Sequence, residues 1–461
     1  MKDMTRFHRI LGPLALIGLI IVTLVQASGV TAQSGQPSLP HKTPRHTPQH
    51  GRGPLFVPPT SNSAGGIPAI HPHSVANSPA TPDFTVEDVQ AYLLLTASVP
   101  KLTPVQGAHL TIEEVSLISS KEATQRMGGE SPGLPDDAQV CFVLVKGPFH
   151  VQIDAPPGYT GSADPIATEV GVVFDAHTGN LLEWAVLDAF QASSPAQAAS
   201  QSPGRPTVQL SAAHLAAPSI SYSCMGRCHG TNYWPNQVHG AYTFLNWAYP
   251  GVTPLYMGNQ YVQNTMWLED QNEAPSVCPG VCWVEAGLRA IHDPYNASQN
   301  RTWLFWADLR PNHPYAEHYG AIVNTLTSTC CIEIRIWKAG TIPNIGWCPT
   351  ATSEWCVDVY SDTDQKDFHG ISGANHTNTM TTTGYRVGLE LYGTSGAIAG
   401  PMFFDDNLWE SANDNSWNYQ TNAGDRYGYV NDNPVDSGWD YAPAPGNNGG
   451  QWFTCITNAG C

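Results

Sequence analysis

The chain has 461 residues, a formal net charge of −18 and only 13 % charged residues. That balance argues against nucleic acid as a partner, because little is present to neutralise phosphates and no Lys/Arg cluster stands out. The length predicts more than one domain. At the N-terminus, Lys2, Arg6 and Arg9 precede an apolar run from Ile10 to Val25, and Val30-Thr31-Ala32 supplies small residues before Gln33. Residues 1–32 therefore read as a signal peptide. The alternative is an uncleaved N-terminal membrane anchor, but the run is shorter than the roughly 20 residues a spanning helix needs. No later stretch is long and apolar enough to span, so a secreted or extracytoplasmic protein is expected. Residues 33–82 are rich in Pro, Ser, Gly and His and read as a disordered linker. His41, His46, His50, His71 and His73 fit a polar tail better than a metal site.

Residues 83–190 read as a small α/β domain. Thr85 with Asp88 has the pattern of a helix N-cap, followed by Val86, Val89, Tyr92 and Leu93 at helical spacing. Ile112 to Ile118 and Val140 to Val145 predict strands. Val170 to Phe174, then Asp175-Ala176-His177-Thr178-Gly179-Asn180-Leu181-Leu182, predict strand, turn and strand, with Gly179 supplying a positive φ. This hairpin resembles the one found in PepSY-like domains, small α/β modules that accompany extracytoplasmic enzymes or serve in propeptides. Cys141 lies in an apolar strand and is expected to be a buried, inert thiol.

Residues 191–218, rich in Ala, Ser, Gln and Pro, predict a second linker and a place for proteolysis. Residues 219–461 form the main domain and hold ten of the 11 Cys and thirteen of the 14 Trp. In an exported chain this cysteine pattern predicts disulfides. Local pairs are plausible for Cys224–Cys228, Cys278–Cys282, Cys348–Cys356 and Cys455–Cys461. Adjacent Cys330 and Cys331 are expected to reach separate partners, so some of those local pairs should not form. The spacings do not suit zinc, and no metal or cofactor is expected. Strand-like runs recur at 281–286, 302–307, 320–326, 331–337, 355–360 and 385–391. In the fourth, Ile332, Ile334 and Ile336 alternate with Glu333 and Arg335. Pro314 to Tyr319 reads as a loop in which Glu317, His318, Asp308 and His313 gather, and the tail from Phe403 reads as loop-rich. The whole is expected to be α+β and multidomain, with the α/β domain followed by an all-β sandwich of jelly-roll type.

No serine-hydrolase elbow, zincin helix, Walker or Rossmann fingerprint is present. Two carboxylates on strands remain. Glu285, in Trp283-Val284-Glu285-Ala286-Gly287, shares a face with Trp283. Glu390, in Gly388-Leu389-Glu390-Leu391-Tyr392, shares one with Gly388. A carboxylate on an inward sheet face is desolvated and its pKa rises, which suits proton transfer. Two such groups can divide the work, one ionised to activate water and one protonated to polarise a carbonyl. Against this, a strand glutamate commonly pairs with arginine, and Arg289, Arg335 and Arg386 are at hand.

From Trp283 to Tyr392 the chain resembles the glutamic peptidases, including the neprosin-like group. These are secreted, acid-active β-sandwich proteases whose dyad is Glu with Gln or Glu with Glu. Glu285 before Gly287 resembles the first dyad position, Leu304-Phe305-Trp306 the aromatic strand, and Glu390 the late glutamate. The cysteine pattern departs from the family. The resemblance implies an acid-active endopeptidase with Glu285 and Glu390 catalytic, Trp283, Trp303, Trp306 and Trp337 touching substrate, and the α/β domain as a removable prosegment or inhibitor. The substrate would be protein outside the cell. The alternative is a non-catalytic carbohydrate- or cell-surface-binding sandwich that stacks sugars on Trp303, Trp306, Trp337 and Trp355. In that alternative Asp405, Asp406 and Asn407 are a candidate Ca²⁺ site, although no loop of defined ligand spacing is present. The sequons at Asn296, Asn300 and Asn375 matter only in a eukaryotic secretory host.

Overall fold

The computed structural model describes residues 48–49, 53–54, 65–70, 84–95, 99–162, 164–188, 190, 227–235, 237–247, 261–272, 278, 280–292, 300–311, 313–323, 332–342, 345–350, 354–362, 364–373, 380–392, 402–420, 427–431, 435–441 and 451–456. The expected signal peptide, the 191–218 linker, Cys330 and Cys331 lie outside them. No helix among the described residues is long and apolar enough to cross a membrane.

After a two-residue pair, β1 (Pro48–Gln49) with β2 (Gly53–Pro54), the chain enters α1 (Val86–Gln90). Thr85 caps it: its hydroxyl accepts from the Asp88 N–H while the Asp88 carboxylate accepts from the Thr85 N–H at 2.7 Å, a reciprocal capping box. A turn of π-helix follows, then β3 (Leu102–Pro104), β4 (Thr111–Ser119), α2 (Ser120–Arg126), β5 (Gln139–Val151), β6 (Ile166–Asp175) and β7 (Leu181–Val186). The β6–β7 turn is built as the sequence predicts. Asp175 Oδ1 accepts the N–H groups of His177 and Thr178, and Gly179 has φ +69°.

The remaining strands are β8 (Arg227–Trp234), β9 (Val238–Trp247), β10 (Tyr261–Asp270), β11 (Cys282–His292), β12 (Asn300–Arg310), β13 (His313–Val323), β14 (Ile332–Lys338), β15 (Trp355–Ser361), β16 (Lys366–Ser372), β17 (Gly384–Tyr392), β18 (Met402–Ser411), β19 (Trp417–Tyr419), β20 (Tyr427–Asn431), β21 (Val435–Tyr441) and β22 (Gln451–Ile456). Among the described residues these strands and β3 to β7 form two antiparallel sheets. One has 12 strands in the order β20-β8-β17-β10-β11-β12-β13-β7-β6-β5-β3, with β4 beside β5. The other has 8, in the order β16-β15-β14-β9-β18-β22-β21, with β19 beside β18.

Two expectations are corrected here. The segment from Pro314 to Tyr319 is not a loop but lies in the first half of β13, which pairs with β12 on one side and β7 on the other. The tail beyond Phe403 is not mainly loop, because β18 to β22 lie in it and complete both sheets. Its many Asn, Asp and Gly residues hid strands whose pairing is supplied by distant neighbours.

The sheets face each other through an apolar layer. Ile332, Ile334 and Ile336 of β14, with Val357, Val359 and Leu245, meet Met266, Val284, Ala286, Leu288, Leu304, Trp306 and Val387 of the larger sheet, all within one buried cluster. Each Val, Leu, Ile or Met side chain among them contributes about 1.5–3 kcal/mol on burial. Glu333 and Arg335 lie on the opposite face of β14, as their alternation predicts, and Arg335 is ion-paired with Asp358. Disulfides join Cys278 to Cys282 and Cys348 to Cys356, two of the local pairs expected. Cys141 is buried, and burial pushes its thiol up to about 12.

The larger sheet is continuous across the two parts of the chain. Ala316, Glu317 and His318 of β13 pair with Ala185, Trp184 and Glu183 of β7. The strands of residues 102–186 thus extend the sheet that carries Glu285 and Glu390.

Candidate active site

Antiparallel register decides which side chains share the face turned away from the smaller sheet. Gln263 of β10 lies opposite Glu390 of β17 on one side and Arg289 of β11 on the other. Glu285 lies opposite Ala307, and Ala307 opposite Glu317. Directly opposed residues project to one side of a sheet, so Glu390, Gln263, Arg289, Glu285 and Glu317 converge on one face. Between the two carboxylates runs a row with little bulk, in which Thr265 lies opposite Gly388 and Gly287. A Cβ at Gly287 would come within 2.2 Å of Asn264 O and 2.8 Å of the Thr265 Cα.

Gln263 is the bridge. Its Nε2 donates to Glu390 Oε2 at 3.0 Å and to Glu285 Oε2 at 3.3 Å. Its Oε1 accepts from Arg289 Nη2 at 2.8 Å and Nε at 3.1 Å. A guanidinium only donates and an ionised carboxylate only accepts, so Arg289 fixes which end of the amide faces the glutamates. Tyr261 donates its hydroxyl to Glu390 Oε1 at 2.6 Å. Arg227 Nε stands 3.6 Å from Glu390 Oε1 and His229 Nε2 3.9 Å from Oε2.

Glu285, Gln263 and Glu390 are all 0 % exposed. Burial pushes the Glu285 carboxyl well above the ordinary carboxylate range; Arg289 opposes this without cancelling it, and the neighbouring Glu390 adds to it. Glu285 Oε1 has no hydrogen-bond partner among the described residues. The three arginines the sequence offered as partners for these glutamates pair elsewhere: Arg289 with Glu317 and Asp154, Arg335 with Asp358, and Arg386 with Glu269.

Glu317 behaves in the opposite sense. Burial alone would raise it, but Arg289 and Lys101 outweigh that and hold it at about 2. It accepts from Tyr315 at 2.5 Å, from Tyr319, from Arg289 Nη1 at 2.8 Å and from Lys101 Nζ at 2.6 Å. Lys101 and Asp154 come from the N-terminal part, and so does the segment that closes the face. Ala155 O lies 3.3 Å from His229 Nε2, the Asp154 N–H donates to Tyr315 at 3.2 Å, and the Tyr159 ring packs edge-on against Trp283 at 5.6 Å.

The expected aromatic residues divide. Trp283 shares the face with Glu285 and packs on Tyr315. Trp303 is also on that face, opposite Arg289, with its indole N–H on Gly66 O at 3.1 Å. Trp306 points to the other face, stacked on His318 at 3.5 Å, and Trp337 lies on the outer side of the smaller sheet against Trp347. The structure does not bring these last two to Glu285 and Glu390. All four are at most 1 % exposed, as is Trp355. Asn407 is engaged internally, accepting from Thr243 at 2.8 Å and donating to Phe404 O at 2.9 Å; the side chains of Asp405 and Asp406 lie outside the described residues. No group of three or more His, Cys, Asp or Glu placed to hold a metal occurs among the described residues.

Sequence reasoning missed Gln263, Tyr261 and Lys101. The signal for the first two is present: Tyr261, Gln263, Thr265 and Trp267 alternate with Val262, Asn264, Met266 and Leu268. Asn264 blurs that alternation, and only register shows Gln263 to be opposite Glu390.

No protein-family profile and no curated protein matches the chain. Among solved structures it is similar to scytalido-glutamic peptidase with a peptide-based transition-state analogue (TM-score 0.28) and with a transition-state analogue inhibitor (TM-score 0.29). It is also similar to SCP-B, a member of the eqolisin family of peptidases, in complex with the tripeptide Ala-Ile-His (TM-score 0.28). Each match has 9 % identity and covers 51 % of this chain and 98 % of the other. This is a distant structural resemblance to glutamic peptidases.

Proposed function

We propose that the protein is an acid-active peptidase in which Glu390, Gln263 and Glu285 carry the reaction. The observation that supports this most strongly is one amide held between two buried carboxyl groups, the second with an oxygen that has no partner among the described residues. Glu390, whose carboxyl oxygens accept from Tyr261 and Gln263, takes a proton from a water held beside the Gln263 amide. The hydroxide so formed adds to the scissile carbonyl carbon. Glu285, kept neutral by burial, donates from Oε1 to the developing oxyanion, and the Gln263 amide, backed by Arg289, donates beside it. Glu390 then passes its proton to the departing amine as the C–N bond breaks. One carboxyl thus serves as base and one as acid because their surroundings differ.

The pH dependence follows from Glu285. Once it ionises, its proton is lost to the oxyanion and a second negative charge faces Glu390, so activity falls as pH rises through its elevated pKa. The carbohydrate-binding alternative needs exposed ring faces, and Trp303, Trp306, Trp337 and Trp355 present none. In the closed arrangement described, substrate reaches Glu390 only when the segment around Asp154 withdraws. The test is hydrolysis of casein and peptides between about pH 2 and 7, before and after cleavage within residues 191–218. Glu390→Gln and Gln263→Leu are each expected to lower the rate by about 10²–10⁴-fold. Hydrolysis that survives in Glu390→Gln, or none in the wild type under either condition, overturns the reading.

A further inference from the structure

Lys101 sits in the turn before β3 with φ +67°, a left-handed conformation uncommon for a residue with a side chain. Its carbonyl is held by the Gln152 N–H at 2.9 Å. From that turn the side chain enters the face of the larger sheet and is 3 % exposed. The ammonium donates to Glu317 Oε1 at 2.6 Å and to Asp154, and stands 4.3 Å from the centroid of the Tyr261 ring. Tyr261 is also the residue whose hydroxyl holds Glu390. The space this ammonium fills thus has carboxylates on one side and an aromatic ring on the other, and Tyr261 sets it beside the proposed base.

Two features set this pocket apart from an ordinary buried ion pair. First, Glu317 already has a cation of its own sheet, Arg289, and three donors from Arg289, Tyr315 and Tyr319. Lys101 is an additional charge brought in by another part of the chain. Burial, and then repulsion from Arg289, pull its ammonium down to about 7, so it is held there at a cost. Second, the neighbouring segment offers backbone carbonyls to the same face, Ala155 O to His229 and Pro157 O to Arg386 Nη2 at 3.4 Å. An extended peptide bound across the sheet would present its carbonyls in this way.

We propose that the pocket between Glu317 and Tyr261 receives a lysine or arginine side chain of the substrate, and that Lys101 occupies it as a built-in competitor. The proposal rests on the peptidase reading and names the side chain which that site selects.

Two measurements on the full chain separate the pocket from the chemistry. In Lys101→Ala, n-butylammonium is expected to raise the melting temperature more than n-butanol does at the same concentration and ionic strength. The wild type and the double variant Lys101→Ala/Glu317→Gln should not respond. Lys101→Met, which keeps the length of the stem, is used alongside should the alanine variant not fold. In the second measurement a peptide pool is digested in acid by Lys101→Met, and the cut sites are mapped by mass spectrometry. Peptides with Lys or Arg within two residues of the cut are expected to be cleaved at least about tenfold faster than those with norleucine there. Cleavage without that preference, or butylammonium no better than butanol, overturns the pocket alone. A butylammonium effect with no cleavage by any variant overturns the peptidase reading and with it the substrate assignment, leaving Lys101 a structural plug.

Discussion

At the scale of single residues, the site is an argument about which end of an amide faces which carboxyl. Arg289 is central to it, since both its bonds to Gln263 Oε1 and its pairing with Glu317 pass through one buried guanidinium. Replacing it by Met leaves Glu317 buried beside a single cation and frees Gln263 to rotate. Arg289→Met is expected to cost about 3–5 kcal/mol in urea unfolding and to abolish peptide hydrolysis. Unchanged unfolding would show that Arg289 does not carry this network. Strand alternation and the family resemblance singled out Glu285 and Glu390 as candidates, and the structure brings them to one face. The sequence could not identify Gln263 or Lys101. A glutamine on a half-polar strand has no distinguishing pattern, and a lysine in a turn 216 residues before Glu317, the carboxylate it meets, is joined to it only by tertiary packing.

At the scale of strands, the distance across the site depends on side chains that are absent. Gly287 lies between Glu285 and Arg289 on one face, and a methyl group there would press on Asn264 O and the Thr265 Cα. Gly287→Ala is expected to destabilise the fold by about 1–3 kcal/mol in denaturant, through displacement of β10 and hence of Gln263. Stability within a few tenths of a kcal/mol of wild type would contradict the close approach of β10 and β11. Gly179→Ala is a control away from the site. Its φ of +69° and a Cβ 2.3 Å from Ile70 O predict a loss of more than about 1 kcal/mol with no change in the pH profile. Strands with clean alternation, such as β14, were legible in sequence because one face is entirely apolar. The first half of β13 was not, because Pro314, Glu317 and His318 read as surface residues. They are tolerated inside the sheet since Glu317 and His318 are met by charged partners from residues 101–183.

At the scale of the whole molecule, the larger sheet joins the N-terminal strands to the sandwich through β7 and β13, and the seam is lined with acids. Burial pushes Glu183 well above the ordinary range, with Asp308 adding to it, and does the same to Glu130 and Glu285. A group whose folded pKa is raised binds more protons in the folded state. Its stabilisation is therefore full below its unfolded value, near 4.5, and is lost as pH rises through the folded one. Glu317, held at about 2, contributes stability that is present above about 4.5 and lost as pH falls towards 2. The melting temperature of the chain is thus expected to be higher near pH 4 than at pH 7, and to drop again as pH approaches about 2. Calorimetric scans at the three values test this, and a melting temperature that rises from pH 4 to 7 would contradict the assignment of these buried acids. At this scale the sandwich of two sheets was legible in the sequence. The continuity of the sheet was not, because an edge-to-edge pairing between β7 and β13 leaves no mark in either strand's composition.

The most direct test of the central claim is the rate–pH profile of peptide hydrolysis for the wild type and Glu285→Gln, measured after cleavage within residues 191–218. A glutamine donates a hydrogen bond as the neutral acid does but cannot ionise. The account predicts that Glu285→Gln keeps measurable activity and loses the decline that the wild type shows as pH rises. The same decline in both proteins would contradict the assignment of Glu285 as the neutral partner of Glu390.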